Sequence, residues 1–245
     1  MPSRRKAACV AATVLMLSAR ALSAQEPSIH HDHEMADGAA MEEMSADSMG
    51  AGKHLRLTPH WVEQPGDRDR ADSLVRVARA ALAKYTDVGV AERDGYRMFA
   101  PKVKRLRVYH YSNHLNALKA RWVFDAAKPS ALLYQPQLGG GVRLIGAMYT
   151  APPNTSLEEL NERIPLSIAQ WHQHTSLCLP PGADRHGGSG DMSPAIRDPR
   201  FGARGTITTE AECNAAGGKF KRRMFGWMVH VNVFEGEDQV WQHRH

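Results

Sequence analysis

No stretch of the 245 residues reaches the roughly 18 consecutive apolar positions needed to cross a bilayer as a helix. Cysteine is scarce, with three residues, Cys9, Cys178 and Cys213. No G-x-S-x-G elbow occurs, which argues against a serine hydrolase. Gly139-Gly140-Gly141 lacks the Lys-Ser/Thr pair of a phosphate-binding loop and does not open a helical pattern. An excess of positive charge is also lacking, although the net value of +5 suggests one. Residues 1–24 hold Arg4, Arg5, Lys6 and Arg20 with no acid, so the remainder carries 27 bases against 26 acids. A chain that close to neutral is not expected to bind nucleic acid. What remains is ordinary globular composition, 42% apolar and 23% charged, long enough to bury a sizeable core.

The N-terminus has the three parts of a secretory signal: the basic Arg4-Arg5-Lys6, the apolar Ala7–Leu17, and small residues ending at Ala24. The mature chain is therefore expected to begin near Gln25, in a periplasm or outside the cell. Removing the signal removes Cys9 and leaves Cys178 and Cys213. In an oxidising compartment an even pair reads most simply as a disulfide. The competing reading makes Cys178 a metal ligand, since it lies four residues beyond His174.

Residues 25–52 have no Lys, Arg or aromatic residue, but contain Met35, Met41, Met44, Met49, His30, His31, His33 and seven acids. Such a segment buries too little apolar surface to offset its ordering entropy, so a disordered arm is expected. Its thioether and imidazole groups suit soft or borderline metals. The arm resembles the Met- and His-rich segments of periplasmic copper-handling proteins. A plain solvating spacer is the alternative.

From residue 53 onward one α+β domain is expected, with N-terminal helices packed on a mainly antiparallel sheet. Leu74, Val75, Ala78, Ala81, Leu82 and Tyr85 recur at helical spacing from Asp69, with Asp69 or Asp72 as the cap. A short helix over Asp87–Arg93 follows. Strands are expected at Lys104–Tyr111, Ala131–Gln135, Val142–Tyr149, Leu166–Ser176 and Phe225–Phe234, with Pro136–Gly141 turning a hairpin. The chain between Cys178 and Thr206 reads as a long loop, and Thr209-x-x-Glu212 as a capping box. The stretch Tyr109-His110-Tyr111-x-Asn113, Leu132-Leu133-Tyr134 and Leu144-Ile145-Gly146, together with Lys84–Asp87 and Asp94-Gly95-Tyr96, resembles a family of uncharacterised secreted bacterial proteins. The likeness covers roughly residues 80–150 and implies one compact exported domain, without an activity.

The informative chemistry lies in Trp171-His172-Gln173-His174 and Trp227-Met228-Val229-His230. On a strand, residues two apart face the same way, so His172 and His174 project together. His230, on a strand whose other face is Val229, Val231 and Val233, is the best third imidazole. His110 is a fourth candidate, as ligand or as a group supporting one. Three imidazoles with an open position suit a divalent transition metal, zinc or copper. The set resembles the metal arrangement of alpha carbonic anhydrases and, more loosely, cupins, but only in these three residues. Trp171 and Trp227 are expected to pack beside the site and keep water out. Two functions follow: an exported metal-binding protein engaged in copper handling, or a metal-dependent enzyme activating water or dioxygen. A third reading has the histidines simply hydrogen-bonding one another. The runs Lys102–Arg107 and Lys219–Arg223 read as wet strand faces, and Glu158, Glu159 and Glu162 as a solvated helix face. His114 and His186 read as surface residues, and His243 and His245 as a terminal tail.

Overall fold

The computed structural model describes residues 52–99, 101, 106–182 and 198–242. The expected signal segment, the arm up to residue 51, His186, His243 and His245 lie outside them. Within the described residues are five α-helices and one seven-stranded antiparallel sheet, an α+β fold. The strands are β1 (Leu55–Leu57), β2 (Arg97–Met98), β3 (Tyr109–Ser112), β4 (Ala131–Pro136), β5 (Val142–Ala151), β6 (His172–Leu179) and β7 (Lys219–Val231). The helices are α1 (Asp67–Leu82), α2 (Val88–Arg93), α3 (His114–Lys119), α4 (Leu157–Arg163) and α5 (Glu210–Ala215). Only α1 and α2 precede most of the sheet; the other three are interleaved with the strands.

The strand order is β1-β6-β7-β5-β4-β3-β2. β2 to β5 form a meander of consecutive partners, and β7 inserts between β5 and β6. One face of this sheet holds the main core. Leu74, Val75, Ala78 and Leu82, on one stripe of α1, join Tyr111, Leu132, Ala147, Tyr149, Val229 and Val231 there. Tyr134 anchors the packing, donating its hydroxyl to the Tyr85 carbonyl at 2.6 Å. A smaller cluster of Cys178, Phe201, Ile207 and Cys213 sits apart, under α5. The disulfide between Cys178 and Cys213 closes it, with the Cα atoms 5.5 Å apart. Cys178 is thus a bridge partner and not a metal ligand.

Several boundaries differ from the sequence expectation for local reasons. Strand β3 begins at Tyr109 because its partner β4 ends at Pro136, which has no N–H to continue the ladder. β6 begins at His172, because Pro165 opens a turn in which its carbonyl accepts from the Ile168 and Ala169 amides. β7 starts earlier, at Lys219, where its basic residues pair with β6, and stops at Val231. There the Asn232 amide turns to the Val240 carbonyl, and its side chain donates to the carbonyls of Gln239 and Gln242.

Helix α1 starts at Asp67 after Gly66, whose φ of 90° only glycine adopts readily, so neither Asp69 nor Asp72 is the cap. Asp67 instead uses one carboxylate oxygen to accept from the Gln64 amide at 3.0 Å and the Ser167 hydroxyl at 2.7 Å. These bonds, the one from Ser167 foremost, hold the Asp67 carboxyl below the usual aspartate range. A carboxylate depressed in the folded state adds stability above its unfolded pKa and loses it as pH falls through the folded one. Thermal midpoints measured from about pH 6 down to about pH 3 should therefore fall. Asp67→Asn should start about 1 kcal/mol lower and show a shallower fall. Parallel pH profiles for the two proteins would show that Asp67 contributes nothing to acid sensitivity.

Candidate functional site

The second face of the sheet carries the histidines. Along β7, alternation sends Val229 and Val231 into the helix-side core and leaves Met228 and His230 on the other side. Cross-strand partners share a face, so the pairs His172–Met228, His230–Met148 and His110–Leu133 belong to the same surface. The rings confirm the placement. His172 lies 5.6 Å from His174 and 5.3 Å from His230, and His230 lies 5.2 Å from His110, measured between ring centroids. All four predicted imidazoles therefore come together in one row, His174-His172-His230-His110.

His110 and His230 are hydrogen-bonded ring to ring, with their Nε2 atoms 3.3 Å apart. β5 and β4 separate their strands, a distance of about 14 Å in a flat sheet. Rings meeting across that interval require the sheet to curl toward the histidine face. Small residues at the centre, Gly146 on β5 and Ala131 on β4, suit that curvature. A Cβ at Gly146 would stand only 2.1 Å from the Val231 carbonyl oxygen, so glycine is needed for β7 to pass so close.

A second irregularity aligns β6 with β7. His172 pairs with Met228 and His174 with Met224, so two residues of β6 span four of β7. The excess is a bulge in which Phe225 takes a φ of 68° and Gly226 lies against the Ala151 carbonyl. It leaves both histidines on one face. Trp171 and Trp227 do not join them. Each is an odd number of residues along its strand from the nearest histidine, so both turn into the helix-side core. The expectation that they flank the histidines is corrected accordingly.

His172 is 1% and His230 4% exposed. Burial, and next to it the neighbouring His54, lower the His174 pKa from the ordinary imidazole value. Its neutral form, the one with a lone pair to offer, is the one favoured near neutral pH. His54 was not among the sequence candidates, because it precedes β1 in a segment with no periodicity. In the fold it is buried, with its ring nitrogens 3.0 Å from the Ser176 carbonyl and 2.8 Å from that of Gly205. Pairing of the neighbouring Leu55 with His174 brings it to the end of the row. His114 opens α3 on the surface, as expected.

Among the described residues, no three His, Cys, Asp or Glu side chains form a group that could hold a metal ion as they stand. The cluster is a row of adjacent rings built on one close pair. Glu158, Glu159 and Glu162 lie on α4, where Glu159 closes a capping box with Ser156, and Arg222 and Arg223 are exposed on β7. Comparison with protein-family models, with curated proteins and with solved structures returned no match.

Proposed function

We propose that this chain is an exported metal-binding protein engaged in copper handling, with the His110, His172, His174 and His230 row as its centre. The 3.3 Å separation of the His110 and His230 Nε2 atoms carries the reading. Two imidazoles on one tetrahedral metal, each about 2.0–2.1 Å from it, hold their nitrogens about 3.3 Å apart. His172, whose ring is next to His230, is the third donor in line, and His174 stands behind it. Burial of His172 and His230 at the middle of the row favours holding an ion over turning over a substrate, which would need an open approach. The disulfide agrees with an oxidising compartment. In this reading the Met- and His-rich arm over residues 25–52 captures ions for the core.

Titration of the purified mature chain with zinc and with copper tests the proposal. His230→Ala and His110→Ala should weaken the core site at least about 100-fold, as loss of one of three ligands does. His174→Ala, which removes the ring behind His172, should weaken it by about 10–100-fold. His60→Ala, whose ring bonds the Leu166 carbonyl away from the row, and His243→Ala should leave it intact. Equal affinities across all these variants would overturn the assignment. Deleting residues 25–52 should lower copper uptake by the cell; unchanged uptake and tolerance would remove the arm's role.

A further inference from the structure

Every β6 and β7 histidine of the row faces a methionine across the ladder. His172 pairs with Met228, His174 with Met224 and His230 with Met148. Directly opposed residues on one face of an antiparallel pair have Cβ atoms about 4.5–5.5 Å apart, within reach of a long flexible side chain. Met228 is buried yet is not part of the helix-side core, so the packing that explains Trp227 and Val229 does not account for it. Methionine is not a residue that strands favour, and three such pairings along one row call for an explanation.

Resting on the metal-binding reading above, we infer that Met148 and Met228, which flank His230 and His172, supply thioether ligands and that the ion held is monovalent copper, with Met224 beside His174 further along the row. Two arguments converge on that ion. Thioether sulfur is a soft ligand that selects Cu(I), whereas zinc sites in proteins are built from thiolate, imidazole and carboxylate. The proposed ligands, imidazoles and thioethers, are all neutral, so they leave the charge of the ion uncompensated on a buried face. The Born cost of burying charge grows with its square, so a monovalent ion costs about a quarter of what a divalent one does at equal radius. The arrangement would hold copper in the reduced state in preference to zinc.

The experiment uses the full mature chain with Met35, Met41, Met44 and Met49 replaced by Leu, so that sulfur from the arm does not contribute. Under anaerobic conditions this protein is titrated with Cu(I) against a chromophoric chelator, and separately with Zn(II). Adding Met148→Leu and Met228→Leu should weaken Cu(I) binding at least about tenfold and leave zinc affinity unchanged. Leu for Met conserves volume, so the fold should survive. X-ray absorption on the protein retaining Met148, Met224 and Met228 gives a measurement independent of those variants, and should show sulfur beside nitrogen at the copper. Unchanged Cu(I) affinity in the methionine variants, or a nitrogen-only copper environment, would overturn the thioether assignment while leaving the histidine site standing. Failure of the parent protein to bind either Cu(I) or Zn(II) would overturn both readings, whereas zinc bound more tightly than Cu(I) would overturn the thioether assignment alone.

Discussion

Replacing Cys178 and Cys213 together by Ala should lower the stability of the mature protein by about 3–4 kcal/mol. The bridge closes a loop with a sequence separation of 35 residues, and the chain-entropy account assigns a closure of that length a value in this range. Local packing gives a reason to expect the full effect. Among the described residues, the cluster around the bridge has Cys178, Phe201, Ile207 and Cys213 as its buried members, separate from the main core. Helix α5 is six residues long, too short to persist without such an anchor. Gly218 is pressed against the Cys178 sulfur, where a Cβ would come within 2.5 Å, so the chain is fitted closely around the bridge. Thermal unfolding of the double variant should shift by roughly 10 °C for a domain of this size. A shift of under about 2 °C would mean that the surrounding contacts hold this region without the covalent link.

Gly146→Ala is expected to cost about 2–3 kcal/mol, a large effect for one added methyl group. The new carbon would lie 2.1 Å from the Val231 oxygen and 2.6 Å from the Asn232 Cα, both backbone atoms that no rotamer change can move. β7 would have to withdraw from β5. That movement carries His230 away from His110, so on the metal-binding proposal affinity should fall at least about tenfold although none of the proposed ligands has changed. Ala147→Gly, one residue along and on the opposite face, serves as the comparison: it should cost about 1 kcal/mol through backbone entropy and leave affinity intact. Wild-type stability and affinity in the Gly146 variant would show that the approach of the two strands is not tight in solution.

The faces of the strands were legible in the sequence, because alternation is a local property. Val229, Val231 and Val233 marked the core side of β7, which placed His230 on the other, and His172 and His174 followed from their spacing of two. The same rule places Trp171 and Trp227 in the core, although their closeness in sequence to the histidines suggests a shared site. The capping box at Thr209 and the hairpin at Gly139–Gly141 are local too, and so is the box at Ser156, which the sequence reading passed over. Register and strand order are not. That β7 lies between β5 and β6, and that a two-residue bulge aligns Met224 with His174, depends on contacts between distant segments. Each methionine partner of a histidine is therefore invisible until the ladder is known. His54 reaches the row for the same reason, through the pairing of a three-residue edge strand.

The strand order also sets a sequence of events during folding. His110 belongs to the β2–β5 meander, whose pairings join strands consecutive along the chain and so close small loops. His172 and His230 belong to the β6–β7 pair, bridged through Cys178 to Cys213. The two halves meet only where β7 docks on β5, the step that brings the His110 and His230 rings together. An imidazole pair that spans this seam exists only when β7 is docked on β5. The four-histidine row is therefore a property of the joined halves and belongs to neither half alone.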